Sequence, residues 1–482
     1  MRQYPLILLF LSLAGMAHTQ NAYQAAANRL AADPSLKNGS LSVSVVDVES
    51  GKLLASYEPE RSLSPASNLK VLTTASALAL LGPDYRFQTQ LEYDGALSAE
   101  GQLDGNLYLT GYGDPALGSP LLEEAMPLEA LMERLRMAVQ QAGIRRIKGA
   151  VRGDASAFGS SSSVGSWQWE DMGNYYGAGA WALNLHENLH YLHFQQQGQL
   201  GAIPPIAGVE PDIPGLQFTN EVVSAARGTG DNAYIFGAPY QFNRYVRGSI
   251  PVGSGIFTIK GSIPDPPLFA AQCLRQSLAT VGITAAGAAS RLDGQPGGRR
   301  RLYTHYSPPL SLIVKRTNME SVNLYCEAMV KVIGWEKKQK GSTTAGLEAL
   351  KSYWEEQGLS WEGCYLSDGS GLSDANAVTS LFLARLLRLM ARKDASLFSP
   401  FYESLPEAGR SGSLRNALKG TAAEGRLRAK SGTLERVRAY SGYATARNGR
   451  LLAFSVIANN FEGSGGAIRQ KIERFMLELC KN

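Results

Sequence analysis

Shortages define this 482-residue chain as much as anything it contains. It has only four cysteines, Cys273, Cys326, Cys364 and Cys480, widely spaced and without a CxxC pair. Neither a zinc ribbon nor a thioredoxin-like dithiol is on offer, and the four allow three disulfide connectivities or none. Charge of one sign is scarce too: 47 basic against 42 acidic residues leave +5, with the basic residues scattered except for Arg299, Arg300 and Arg301. That is no footprint for nucleic acid. No apolar run approaches the roughly 20 residues that span a bilayer. The 44% apolar content, 51 Gly and 22 Pro describe a globular protein with many turns, neither disordered nor collagen-like. At about 150 residues per domain, the length suggests roughly three folding units.

The first twenty residues carry Arg2, an apolar run over residues 5–13 and small or polar residues at 17–20. This reads as a secretory signal peptide. The absence of cysteine near the cleavage region argues against a lipid anchor. The expectation is a periplasmic or otherwise extracytoplasmic protein with no integral membrane span once the signal is cleaved.

Behind the leader, residues 22–32 read as a short amphipathic helix. Residues 41–48 and 53–57, around Glu49-Ser50-Gly51, read as a β-hairpin. Residues 67–81 are apolar nearly all round and stop at Gly82-Pro83, the mark of a buried, glycine-capped helix. From about residue 87 to 303 the texture is short alternating runs cut by Gly and Pro, a β-rich middle. Helical periodicity returns at residues 321–333, 344–357, 378–391 and 414–418. The chain then closes with strands at 437–445 and 451–457 around Asn448-Gly449, and a helix at 467–479. Strands and helices at both ends suggest one domain built from the two ends, with the middle inserted. The expected fold class is α/β (α+β), with residues 21–86 and 304–482 as one domain and 87–303 as an inserted region of one or two β-rich subdomains.

Three short motifs carry chemistry. Ser67-Asn68-Leu69-Lys70 opens the buried helix, and a spacing of three puts both side chains on one face. A lysine acting as base needs its reference pKa near 10.4 lowered by about three units, which burial can supply. Lys430-Ser431-Gly432-Thr433 precedes the terminal hairpin and suits an edge strand that meets an anionic substrate group. Ser321-Val322-Asn323 stands at a helix start. Each also has an ordinary reading, as an N-cap serine or a strand-end turn; their order along one chain is what strengthens them.

With these motifs the sequence resembles the S-x-x-K acyl-enzyme superfamily of penicillin-binding proteins and serine β-lactamases, and more narrowly the D-alanyl-D-alanine carboxypeptidase/endopeptidase family S13. The long interval from Ser67 to Ser321 makes that choice, supported by Gly113-Asp114-Pro115, Gly153-Asp154, Ala182-Leu183-Asn184-Leu185, Gly261-Ser262-Ile263-Pro264-Asp265-Pro266 and Asp368-Gly369-Ser370-Gly371-Leu372-Ser373. The resemblance implies a β-lactamase/transpeptidase-like domain made from both chain ends and a Ser67 nucleophile. It implies Lys70 as proton acceptor, and Ser321 and Asn323 relaying a proton and orienting the substrate while Lys430 keeps the potential positive. Ser431, Gly432 and Thr433 would bind substrate, and Asp154 and Phe158 would contact the stem peptide. Peptidoglycan stem peptides would be substrates and β-lactams covalent inhibitors, with no metal and no cofactor.

Two other classes compete. His186-Glu187-Asn188-Leu189-His190 matches the H-E-x-x-H zinc-peptidase pattern, yet Trp181, Leu183 and Leu185 alternate into it as in a strand, where the histidines would not converge on zinc. A non-catalytic peptidoglycan-binding or penicillin-binding scaffold is the other, and the intact Ser67, Lys70, Ser321, Asn323 and Lys430 argue against it.

Overall fold

The structure is a computed structural model that describes residues 22–290 and 298–482. The expected signal peptide at residues 1–20 lies outside them. Among the described residues no helix is long and apolar enough to cross a membrane. The four cysteines are free thiols.

The described chain forms two compact units. The first comprises the residues up to Pro83, Val314–Val322 and Leu347–Asn482; the second comprises Asp84–Ile313 and Asn323–Gly346. The divide therefore falls at Pro83 and Ile313, and the segment from Asn323 to Gly346 goes with the middle of the chain.

The first unit is organised by a five-stranded sheet in the order Leu427–Leu434, Val437–Thr445, Leu451–Asn459, Ser40–Asp47, Leu53–Tyr57. All its neighbours are antiparallel, and Ser44 pairs with Ser455 where the two chain ends meet. The closing helix Gly465–Lys481 lays Ile468, Ile472, Phe475, Met476 and Leu479 against this sheet, a spacing of three and four that gathers the apolar side chains into one stripe. Full burial of each such side chain stabilises by roughly 1.5–3 kcal/mol. The helix Ser380–Ala391 is capped by Thr379, whose hydroxyl accepts from the Phe382 N–H, and Ser380 meets the hydroxyls of Ser42 and Ser44. The helix Lys70–Leu81 is buried continuously from Lys70 to Leu78 and ends at Gly82 with φ 89.

The second unit carries a larger sheet in which Arg146–Asp154 pairs in parallel with Leu107–Gly111, Gln102–Asp104 and Thr284–Ala289. Two helices cover it, Leu128–Gln141 and Pro266–Ala279, burying Leu131, Leu135, Val139, Phe269, Leu274 and Leu278. The sequence reading of this region as β-rich passed over both. Two three-stranded sheets, one centred on Asn243–Pro251 and the other on Leu189–Gln195, share a core that includes Val222, Ile235, Val246, Leu192 and Phe194.

Candidate active site

Ser67 lies in a 3-10 turn, Ala66–Leu69, that feeds directly into the helix starting at Lys70. A three-residue separation at a helix start brings the two side chains together: Lys70 Nζ donates to Ser67 Oγ at 2.9 Å. Lys70 is 0% exposed, and its Nζ also donates to the Ser370 carbonyl at 2.7 Å. That carbonyl is held by a tight turn. The Asp368 carboxylate accepts from the N–H of Gly371 (2.8 Å), the N–H of Ser373 (2.7 Å) and Asn376 Nδ2 (2.8 Å). Gly371, at φ 81, passes the Ala66 carbonyl so closely that a side chain there would run into it.

Lys430 stands on Leu427–Leu434, the edge strand of the sheet. It is 0% exposed, and its Nζ donates to Ser321 Oγ at 2.9 Å and to the Ser431 carbonyl at 2.7 Å. Ser321 joins the helices Leu310–Glu320 and Asn323–Lys338 in the left-handed region, φ 59. A non-glycine residue held there costs on the order of 1–3 kcal/mol and is typical of functional sites. The strand passes against the serine turn at Gly432, where an added Cβ would meet the Pro65 carbonyl oxygen and lie 2.8 Å from Asn68 N. Asn68 Nδ2 in turn donates to Ser441 Oγ (2.7 Å) on the next strand. The first unit thus brings Ser67 and Lys70 together, Ser321 and Lys430 together, and lays the strand bearing Lys430, Ser431, Gly432 and Thr433 along the serine turn.

Two groups here, Ser413 and Arg438, escaped the sequence reading, and a third, Ser370, entered it only within the stretch 368–373 and without a role. Ser370 supplies a carbonyl, which no side-chain pattern reveals. Ser413 Oγ shares a 2.9 Å hydrogen bond with Ser431 Oγ. Arg438 sits opposite Thr433 across the strand pair and donates from Nη1 to Thr433 Oγ1. A two-residue turn between strands would have placed that guanidinium by register alone.

Asn323, Asp154 and Phe158 belong to the second unit. Asn323 Nδ2 donates to the Tyr176 carbonyl at 2.8 Å. Asp154 accepts from Arg299 Nη1 at 2.7 Å and from the Ser156 N–H at 2.9 Å. Phe158 is buried, its ring close to Gly113 and Gly341 and 5.9 Å from Lys331 Nζ.

Around the H-E-x-x-H sequence, residues 181–185 form no strand. His186, Glu187 and Asn188 make a left-handed turn with φ 56, 53 and 52, and His190 lies in the strand Leu189–Gln195. The histidines therefore do not share a helical face. Glu187 accepts from Ser119 Oγ (2.5 Å) and Tyr325 Oη (2.8 Å), while burial, with Arg244 nearby, pushes His190 down to about 3. Among the described residues no group of three or more His, Cys, Asp or Glu is placed to hold a metal ion.

Comparison with known proteins adds to this geometry. The model for the D-Ala-D-Ala carboxypeptidase 3 (S13) family matches residues 23–479. A D-alanyl-D-alanine carboxypeptidase of Actinomadura sp. (strain R39) is 33% identical over 447 residues, which cover 89% of this chain and 80% of that one. The crystal structure of penicillin binding protein 4 (dacB) from Haemophilus influenzae superposes with a TM-score of 0.80 at 24% identity, covering 92% of this chain and 96% of its own. The same protein complexed with a novel β-lactam gives 0.75 at 23% identity over the same shares. At such identities these structures speak for the fold, a penicillin-binding-protein architecture of mixed α and β elements.

Proposed function

Because the chain belongs to the D-Ala-D-Ala carboxypeptidase 3 (S13) family, we propose that it is a serine-type D-Ala-D-Ala carboxypeptidase acting on peptidoglycan stem peptides outside the cytoplasm, with DD-endopeptidase cleavage as the second outcome to be tested. The observation that carries this reading is the 2.9 Å contact between Ser67 Oγ and a completely buried Lys70 Nζ.

In this mechanism Ser67 Oγ attacks the carbonyl carbon between the two D-alanines and passes its proton to Lys70 Nζ. Burial of Lys70 supports that role, since desolvation disfavours an ammonium. The oxyanion of the tetrahedral intermediate is received by the N–H groups of Ser67 and Thr433, where losing one donor typically costs on the order of 10²–10³ in rate. Lys70 returns that proton through Ser321, held by Lys430, to the leaving amine, the C–N bond breaks, and free D-alanine departs. Asn323 orients the substrate amide. Lys430, Ser431 and Thr433 take the terminal carboxylate, and Gly432 lets the strand approach. Water then attacks the ester and regenerates Ser67.

A β-lactam offers the same carbonyl and leaves its acyl group on Ser67, in keeping with the β-lactam complex of the Haemophilus relative. The test is intact-mass spectrometry after incubation with fluorescent penicillin. One adduct per chain at Ser67, absent from Ser67→Ala, is expected; equal labelling of that variant overturns the mechanism. Digestion of purified muropeptides then separates loss of one D-alanine from conversion of dimers to monomers.

A further inference from the structure

The helix Asn323–Lys338 grips one stretch of the second unit at two places. At its start, Asn323 Nδ2 donates to the Tyr176 carbonyl at 2.8 Å. Two turns further on, Lys331 Nζ donates to the carbonyls of Ala180 (2.7 Å), Ser161 (2.7 Å) and Ser162 (3.3 Å). Only three residues of chain lie between Tyr176 and Ala180. Between them, the Gly179 carbonyl accepts from Asn188 Nδ2 (2.9 Å), and the Ala180 N–H donates back to Ser162 (2.9 Å). The intervening Gly177 and Gly179 lie hard against the carbonyls of Asp171 and Ser162, where an added Cβ would run into the first and come within 2.7 Å of the second, so a shift at the Lys331 end is passed on to the Tyr176 end.

Lys331 is 3% exposed. The groups around its ammonium are the three carbonyls, the Phe158 ring at 5.9 Å and the Glu327 carboxylate one turn back. A buried cation with three carbonyl acceptors is a far stronger clamp than a neutral donor, because charge-assisted hydrogen bonds are roughly twice as strong.

We propose that Lys331 is a positioning residue for the acyl transfer: its ammonium gathers the carbonyls of Ser161, Ser162 and Ala180 and, through the Tyr176 carbonyl four residues away, fixes the amide of Asn323. This rests on the reading above that Asn323 takes part in the reaction. The clamp is sensitive to alkali, since burial pulls the Lys331 ammonium down to about 8 against the opposing pull of Glu327. Above that pH the three carbonyls lose their cation and the Tyr176 carbonyl is held less firmly against the Asn323 amide.

The test compares the wild type with Lys331→Met, Lys331→Arg, Asn323→Ala and the Lys331→Met/Asn323→Ala double variant. It follows the rate of acylation by fluorescent penicillin and the release of D-alanine from a pentapeptide. Lys331→Met is expected to lower kcat about tenfold or more, the scale of a small misplacement, with KM nearly unchanged, and to add no further loss in the Asn323→Ala background. Lys331→Arg, always protonated, is expected to restore the rate and to move the alkaline fall of activity upward by about one pH unit or more. A wild-type rate for Lys331→Met, or an equal loss with and without Asn323, overturns the proposal. Where Lys331→Met fails to fold by circular dichroism, an alkaline fall in Lys331→Arg identical to that of the wild type overturns it alone. A wild-type rate for Asn323→Ala with Ser67 still labelled removes Asn323 from the mechanism, and Lys331 with it, while leaving the Ser67 acyl-enzyme standing.

Discussion

Gly432 passes Pro65 with no room for a side chain: a Cβ would strike the Pro65 carbonyl oxygen and stand 2.8 Å from Asn68 N. Backbone meets backbone there, so neither side yields by a rotamer change. Gly432→Ala is expected to push the strand off the serine turn, and a displacement near 1 Å can cost on the order of a hundredfold in rate. Labelling by fluorescent penicillin should slow at least tenfold (about one decade) while circular dichroism stays native; an unchanged labelling rate counts against the strand-to-turn contact as a determinant of activity.

Ser321 Oγ is the acceptor for the buried Lys430 Nζ. Ser321→Ala removes one acceptor of that ammonium, keeps its bond to the Ser431 carbonyl, and removes the proposed proton relay. Release of D-alanine from a pentapeptide should fall by roughly 10²–10⁴, the usual contribution of a positioned acid–base group.

Arg299 serves two carboxylates, Asp154 at 2.7 Å and Glu92 at 3.4 Å, all three largely shielded from water. Arg299→Met strands both charges and should destabilise by about 3–5 kcal/mol in urea denaturation. Adding Asp154→Asn should recover part of that loss, because one of the stranded charges is then gone.

Asp114 is fully buried, with Oδ1 accepting from the Ala116 N–H and Oδ2 without a hydrogen-bond partner; burial pushes its carboxyl up to about 7. The folded value lies above the unfolded 3.8, so the stability it contributes is complete below pH 3.8 and is lost as pH rises through 7. Asp114→Asn, neutral at every pH, should raise the thermal midpoint at pH 8, by the equivalent of up to about 4 kcal/mol, and leave it nearly unchanged at pH 4.

Local pattern made much of this protein legible, and the failures have identifiable causes. The hairpin Ser40–Asp47 with Leu53–Tyr57, the buried helix Lys70–Leu81 and the closing helix Gly465–Lys481 all follow alternation or a three-four spacing read straight from the residues. The helices Leu128–Gln141 and Pro266–Ala279 were equally readable in principle, through Leu131, Leu135 and Val139 in the first and the Asp265 cap before Pro266-Pro267 in the second. The short strands on either side of them set the texture that concealed them. At the candidate site, the serine, lysine and glycine motifs stand out because each is compact in sequence. The Ser370 carbonyl does not, because its position depends on how Asp368 folds a turn rather than on any side chain of its own. Arg438 was hidden because its place opposite Thr433 is a matter of register, and Lys331 because three carbonyls from a distant loop have no signature in sequence.

The sheet that carries Lys430 closes only when Ser40–Asp47 finds Leu451–Asn459, and almost the whole polypeptide is made between those two strands. Until residues 451–459 are present the serine turn has no closed sheet to lie against, and Ser40–Asp47 keeps one edge open. A chain cut before residue 451 lacks the one strand that ties the Lys430 hairpin to Ser40–Asp47, and is expected to be inert however well the second unit forms.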